Sequence, residues 1–278
     1  MTWAELKQYL HSHTAQWYTD SEQTVVARRL VEHLSGQSFL TWKTSLNATL
    51  PQEALLPLLN DLVQGKPLQY VVGNEYFAGM LLQVNEAVLI PRPETAELVH
   101  WILQNEAASY AHRVVDIGTG SGCIALALKK NRPNWHVVGI DKSDAALKVA
   151  MNNATQEALN IHFLQADVLD DSCAFDSYSL WVSNPPYIPV EEKAAMSAQV
   201  YDHEPSMALF VTNNDPLQFY KAIEARWLAH AASHAPLYFE LSSQAEQIIH
   251  YFTAKQQYII EPKKDMYGLT RMLRIQQA

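Results

Sequence analysis

The feature that most constrains the fold is an alternation of short β-branched runs with helical stretches, which begins after Pro93. The strand candidates are residues 113–117, 136–140, 161–164, 180–183 and 237–241. Such alternation with short connections predicts a parallel sheet that helices cover on both faces. The last two runs, residues 258–261 and 270–275, leave no room for a crossover helix and predict an antiparallel hairpin. We therefore expect an α/β fold with a mostly parallel sheet and an antiparallel C-terminal strand.

The chain before Pro93 has a different pattern. Apolar residues recur at spacings of three and four over the first sixty or so positions, which predicts a small bundle of amphipathic helices. Gly65-Lys66-Pro67 is typical of a helix end. Residues 68–72, 80–84 and 88–90 are then strand candidates of a hairpin. The predicted division is a helical domain at residues 1–68, a β-hairpin linker at 69–92 and an α/β domain at 93–278.

Charge and cysteine content narrow the class of protein. The chain of 278 residues has 20 basic and 29 acidic side chains, and a formal charge of −9 argues against binding that depends on nucleic-acid phosphates. Cys123 and Cys173 lie far apart, so neither a disulfide framework nor a zinc knuckle is indicated. The N-terminus lacks the apolar core of a signal peptide, and no apolar run reaches the ~18 residues of a membrane span. We expect a soluble cytoplasmic protein with no membrane partner and no metal.

A glycine-rich loop follows the first strand of the α/β region and opens a helix. Glycines at alternate positions let the chain turn sharply and let a ligand approach the backbone. Asp141 ends the next strand, where a carboxylate can accept both hydroxyls of a ribose. Asp167, which closes the third strand, could bind an adenine amino group with Val168 against the ring. A glycine turn can also serve packing alone, but together these residues favour a nucleoside cofactor. The loop residues are Asp116, Gly118, Thr119, Gly120, Ser121 and Gly122.

Asn184-Pro185-Pro186-Tyr187 follows the fourth strand of this region, at the edge where open α/β sheets hold ligands. Each proline holds the residue before it extended and has no N–H. The Asn184 side-chain oxygen and the Pro185 carbonyl are therefore two acceptors that suit the two hydrogens of a planar NH2 group. Tyr187 adds a flat face on which an amide or a base can rest. The simplest alternative is a surface turn, which is common for Asn-Pro pairs.

These residues suit a reaction in which a poor nitrogen nucleophile attacks a methyl group. Accepting both hydrogens holds the nitrogen in line and favours the positive charge that develops on it, so orientation and electrostatics would supply most of the rate. No strong base is required, because the methylated nitrogen becomes acidic and can release its proton afterwards. Catalysis is therefore expected from Asn184, Pro185 and Tyr187, and Asn184 would also lie beside the cofactor.

The chain resembles the class I S-adenosylmethionine-dependent methyltransferases, and among them the HemK family of release factor glutamine N5-methyltransferases. The resemblance runs from about Gly65 to the C-terminus. It implies a Rossmann-like sheet, S-adenosyl-L-methionine as cofactor, and a helical N-terminal domain that helps to recognise a peptide chain release factor. It further implies that residues 184–187 hold the glutamine of a Gly-Gly-Gln motif, and that the enzyme acts in translation termination. We expect a monomer. The segments that carry it are residues 88–95, 116–127, 183–188 and 264–266, with Arg271.

The sequence departs from the family pattern in three places. Ala96 stands where a glutamate is usual, Ser242 replaces a glycine, and residues 212–216 replace a more glycine-rich turn. All of them lie outside the glycine-rich loop and the Asn-Pro-Pro-Tyr segment. They therefore bear on how the substrate docks rather than on the chemistry.

Two other functions stay open at this point. The Asn-Pro-Pro-Tyr segment also occurs in enzymes that methylate adenine N6 or guanine N2 in nucleic acids, and these would need a positively charged groove beside Tyr187. An inactive binding module would keep the fold without binding the cofactor. His230 and His234 have the spacing of zinc ligands on a helix, but no third ligand is evident and a solvated helix face is the better interpretation.

Overall fold

The computed structural model describes residues 1–45, 48–170, 175–189, 191, 197–211, 215–241 and 244–278. The chain divides into two compact units. The smaller one comprises Met1–Asn74 with Met196–His203, and the larger one comprises Glu75–Ala195 with Glu204–Ala278. No helix in the described residues has the length and apolar character needed to cross a membrane.

The smaller unit is helical, as the apolar spacing predicts. Thr2 and Thr19 begin the first two helices as capping boxes with Glu5 and Glu22, which satisfies backbone N–H groups that have no partner within the helix. Its core is formed by apolar side chains that include Leu10, which is fully buried. The helices are α1 Trp3–Thr14, α2 Asp20–Ser35, α3 Phe39–Lys43, α4 Gln52–Val63, α5 Leu68–Val72 and α9 Ala198–His203.

The segment between the predicted domains differs from expectation in two places. Residues 68–72 form helix α5 rather than a strand, because Leu68, Val71 and Val72 place their side chains on one helical face against the core of the smaller unit. Gly73 ends this helix in the left-handed conformation. Val88 closes a turn by donating its N–H to the Asn85 carbonyl, and residues 89–90 have no regular secondary structure, so the strand predicted at 88–90 is also wrong. The hairpin itself is present as β1 Asn74–Phe77 and β2 Met80–Gln83.

The larger unit contains the predicted sheet. Its strands are β3 Arg113–Ile117, β4 His136–Asp141, β5 His162–Gln165, β6 Leu180–Ser183, β7 Leu237–Glu240, β8 Tyr258–Lys264 and β9 Thr270–Gln277. They lie side by side in the order β5-β4-β3-β6-β7-β9-β8. Strands β3 to β7 are parallel, whereas β9 runs antiparallel to β7 and to β8. The parallel sheet and the C-terminal hairpin are thereby confirmed.

Two buried clusters cover the faces of this sheet, and successive strand residues alternate between them. Val114 and Tyr238 belong to one cluster, and Val115 and Phe239 belong to the other. Both faces are thus shielded, as expected for parallel strands. The helices of this unit are α6 Pro93–Asn105, α7 Cys123–Asn131, α8 Asp144–Gln156, α10 Ser206–Leu209, α11 Gln218–His230 and α12 Ala245–Thr253.

Candidate active site

The candidate site lies where the direction of strand addition reverses. From β3 the chain adds β4 and β5 on one side, and β6 and β7 on the other, so β3 and β6 flank the switch point. Ile117 and Ser183 are register partners at the ends of these strands, and Ser183 Oγ donates to the Ile117 carbonyl at 2.7 Å. This pairing brings the glycine loop, residues 118–122, beside the clamp, residues 184–187.

Buried Asp116 supports the glycine loop through hydrogen bonds on the side away from the cavity. Its Oδ2 accepts the Thr119 hydroxyl at 2.6 Å and the Ala125 N–H at 3.2 Å. Burial raises the pKa of the Asp116 carboxyl to about 7 despite these hydrogen bonds. Its other oxygen has no hydrogen-bond partner in the described structure.

Gly118 and Gly122 have positive φ values of 71° and 81° but different surroundings. A Cβ added to Gly118 would have no atom within 4 Å, so its backbone borders open space. A Cβ added to Gly122 would lie 2.5 Å from Leu126 Cδ1 and 3.2 Å from Ala150 Cβ, so this glycine combines a left-handed backbone with close packing. The loop therefore contains one glycine that exposes the backbone to a ligand and one that lets helix α8 pack closely against the start of helix α7.

Asp141 ties the loop to the next strand. Its Oδ2 accepts the Gly120 N–H and its Oδ1 accepts the Ser143 N–H, both at 2.9 Å. Burial raises the pKa of Asp141. A carboxylate has about four acceptor positions, so Asp141 keeps acceptor capacity for a ligand. Asp167, at the end of the neighbouring strand, pairs with Lys142 at 2.8 Å.

Asn184 is anchored through helix α6. Its Nδ2 lies 3.4 Å from Thr95 Oγ1, which in turn donates to Glu240 Oε2 at 2.6 Å. Thr95 and Glu240 are 2% and 5% exposed. Burial raises the pKa of the Glu240 carboxyl to about 7. No hydrogen bond from the described residues reaches Asn184 Oδ1 or the Pro185 carbonyl.

Most of the predicted site residues line one cavity. Asp116, Gly122 and Tyr187 do not line it: Asp116 and Gly122 are buried beneath the loop, and Tyr187 is partly buried against the core. The predicted residues that line the cavity are Gly118, Thr119, Gly120, Ser121, Asp141, Asp167, Val168, Asn184, Pro185 and Pro186.

Sequence reasoning assigned no role to two further wall residues, Arg92 and Thr95. Arg92 Nη2 pairs with buried Glu204 at 2.5 Å, which joins the segment before α6 to the one before α10. Pro91 and Pro93 around Arg92 were a signal for a fixed backbone. Glu204, however, lies 112 positions away, and no local pattern indicates it.

The charges around Tyr187 are mixed. Glu240, Arg271, Arg92 and Glu94 all act on its hydroxyl, and burial with Glu240 raises the pKa of Tyr187 to about 12. Both arginines have carboxylate neighbours, Arg92 in Glu204 and Arg271 in Asp265 at 3.8 Å. The positively charged groove required by a nucleic-acid methyltransferase is therefore not found beside Tyr187 in the described part of the chain. Ser242 and residues 212–214 lie outside the described residues, as does Cys173.

The sheet and the loop at its switch point define a class I methyltransferase. A family model described as "Methyltransferase small domain" matches residues 95–203. Among solved structures, the hMettl16 catalytic domain in complex with MAT2A 3'UTR hairpin 1 superposes with a TM-score of 0.57 at 16% identity, covering 89% of this chain and 90% of that one. A methyltransferase from Pyrococcus furiosus gives a TM-score of 0.51 at 16% identity, covering 72% and 89%. At this identity the structural likeness concerns the fold.

Curated relatives define the family more narrowly. The release factor glutamine methyltransferase of Flavobacterium psychrophilum is 39% identical over 225 residues, which is 78% of each chain. The enzyme of that name from Lactococcus lactis is 41% identical over 220 residues, covering 77% of this chain and 78% of that one. The chain belongs to the release factor glutamine methyltransferase family, and it is an S-adenosylmethionine-dependent methyltransferase.

Proposed function

We propose that this protein methylates the side-chain amide nitrogen, N5, of the glutamine in the Gly-Gly-Gln motif of a peptide chain release factor. The observation that carries the proposal is that Asn184 and Pro185 line the same cavity as the glycine loop and Asp141. An acceptor pair for a planar NH2 group and a site for a nucleoside cofactor thus share one space. The names of the curated relatives support the choice of substrate.

The residues at the loop fit S-adenosylmethionine. Gly118 offers bare backbone where a side chain would enter the cavity. Asp141 keeps acceptor capacity for the two ribose hydroxyls after its bonds to Gly120 and Ser143. Val168, with apolar neighbours, offers a surface for the adenine ring, and Asp167 can accept from its amino group. Asp116 and Gly122 would act indirectly, by fixing the loop from beneath.

The clamp orients the substrate amide. Asn184 Oδ1 and the Pro185 carbonyl accept its two hydrogens, which directs the nitrogen lone pair toward the reacting carbon and stabilises the positive charge that develops. Pro186 lines this part of the pocket, and Tyr187, which packs against the core beside it, supports the clamp. When bound, S-adenosylmethionine supplies an electrophilic methyl group. The proton lost from the methylated nitrogen passes to water, so no side chain has to serve as a strong base.

The proposed partner is a protein. The enzyme's net charge of −9 and the mixed charges beside Tyr187 support an enzyme that acts on a release factor without contacting nucleic acid directly. The helical unit is proposed to take part in recognising the release factor. We propose that the enzyme acts as a monomer in the cytoplasm and thereby in translation termination.

Mass spectrometry tests this function directly. A release factor incubated with the protein and S-adenosylmethionine should gain one methyl group on the Gly-Gly-Gln glutamine. The matched control is a release factor in which this glutamine is replaced by asparagine, which should gain none. An unmodified release factor alongside methylated RNA or DNA in parallel reactions would contradict the proposal and favour an amino-group methyltransferase of nucleic acids.

A further inference from the structure

The side-chain amide of Asn184 can accept a hydrogen bond from the substrate amide in only one of its two orientations. To accept a hydrogen from an NH2 group, it must present Oδ1 to the cavity and turn Nδ2 away. The two orientations differ by a half turn about the last side-chain bond, and oxygen and nitrogen have nearly the same size. A neighbouring hydrogen-bonding group must therefore determine which orientation the amide adopts.

Thr95 has the hydrogen-bonding capacity to make this selection. A threonine hydroxyl has one hydrogen, and the Thr95 hydroxyl gives it to Glu240 Oε2 at 2.6 Å. Toward Asn184, 3.4 Å away, the same oxygen can therefore only accept. It selects Nδ2 as its neighbour, and Oδ1 is left for the cavity.

Glu240 fixes the direction of the Thr95 hydroxyl. An ionised carboxylate only accepts, so the Thr95 hydrogen must point toward it. A protonated Glu240 can donate to the Thr95 oxygen instead, which frees the Thr95 hydrogen to point at Asn184. The amide would then turn Oδ1 toward Thr95 and present two N–H donors to a substrate that itself offers N–H donors.

We propose that Thr95 and Glu240 are positioning residues that hold Asn184 as a hydrogen-bond acceptor. We also propose that protonation of Glu240 acts as a switch, because it lets Asn184 turn its acceptor oxygen away from the substrate amide. This inference rests on the proposed function of Asn184. It assigns a role to a buried carboxyl group that the transfer step itself does not use.

The groups around Glu240 are consistent with titration in the neutral range. Burial raises the pKa of its carboxyl to about 7, and Glu94 acts in the same direction, whereas Thr95, Arg271 and Arg92 oppose it. The hydroxyls of Tyr187 and Tyr220 and the thiol of Cys123 also face it, and burial keeps all three protonated in this range. We therefore expect kcat to fall as the pH drops through about 7.

Kinetics of the full-length protein with an intact release factor test the role of Thr95. Thr95→Val keeps the shape of the side chain but lacks the hydroxyl, and it should lower kcat at least 10-fold while the Kd for S-adenosylmethionine stays within about threefold. Thr95→Ser restores the hydroxyl and should recover at least a third of the wild-type kcat. Thr253→Val removes an exposed hydroxyl that bonds only within its own helix and should have no effect.

The pH profile tests the role of Glu240. Glu240→Gln cannot ionise, so the decline of kcat below pH 7 should disappear, whereas Thr253→Val should retain it. A wild-type kcat in Thr95→Val would overturn the role of Thr95, and an unchanged acid decline in Glu240→Gln would overturn the switch. Either result, obtained with a wild-type enzyme that methylates the glutamine, leaves the proposed function standing. A wild-type enzyme that does not methylate the release factor overturns both.

Discussion

The two sides of the cavity are built in different ways. On the cofactor side, the loop is held by short hydrogen bonds from residues near it in sequence, such as the 2.6 Å bond between Thr119 and Asp116. On the substrate side, Asn184 has one bond of 3.4 Å, to a residue 89 positions away. The glycine loop is thus organised before any ligand binds, whereas the clamp depends on a relay of side chains that a substrate can tighten. Loss of a residue on the cofactor side should therefore weaken S-adenosylmethionine binding. Loss of a residue on the substrate side should instead slow methyl transfer.

The largest effect should follow Asn184→Ala. It removes the acceptor aimed at the substrate amide, and loss of one such preorganised partner costs about 3 kcal/mol, or roughly 10²- to 10³-fold in kcat. Isothermal titration calorimetry should show nearly unchanged S-adenosylmethionine binding, because the loop side is untouched. Asn160→Ala, at an exposed asparagine away from the cavity, is the matched control and should transfer methyl groups at the wild-type rate. Equal loss of binding and transfer in Asn184→Ala would show that the two sides are not separable.

Asp141→Ala should weaken cofactor binding while leaving the rate of methyl transfer nearly unchanged. Removal of a charged acceptor for two ribose hydroxyls should weaken cofactor binding by about 2 kcal/mol, or roughly 30-fold, with kcat at saturating cofactor within about threefold of wild type. Titration calorimetry gives the first value and initial rates give the second. Asp176→Ala removes an exposed carboxylate that pairs with Arg113 and should change neither. A kcat that falls as far as the affinity would argue that Asp141 also acts in the transfer step.

The same contrast explains how much could be predicted from the sequence. The alternating strands, the loop and Asp141 are local patterns, and the strand ends bring them together in any parallel sheet. Glu240 lies 145 positions from Thr95, and no periodicity or motif connects the two. The sequence predicted residues 68–72 as one of several short strands interrupted by glycines, but their contacts with the helical core determine their conformation. Motifs formed by residues close in sequence can thus be predicted from the sequence. Side-chain contacts between residues far apart in sequence, such as Thr95 and Glu240, are found only in the structure.

The smallest effect concerns the buried support of the glycine loop and is a dependence of stability on pH. Burial raises the pKa of Asp116 to about 7 in the folded protein, against an ordinary value of 3.8. Between these values the folded state keeps a proton that the unfolded state has released. Unfolding therefore releases a proton, and the free energy of unfolding falls as the pH rises. Asp116 should contribute a loss of about 1 kcal/mol between pH 5 and pH 6 and little further change above pH 7.

Urea unfolding of the wild type and of Asp116→Asn at pH 5, 6 and 8 isolates this contribution, because the other ionisable groups are common to both proteins. The amide introduced by this substitution keeps an oxygen for the Thr119 hydroxyl and the Ala125 N–H, so the loop retains its support. The wild type should lose stability relative to the variant from pH 5 to pH 6. A constant difference between the two proteins would mean that Asp116 is already ionised at pH 5, and that the loop is held from beneath by a negative charge.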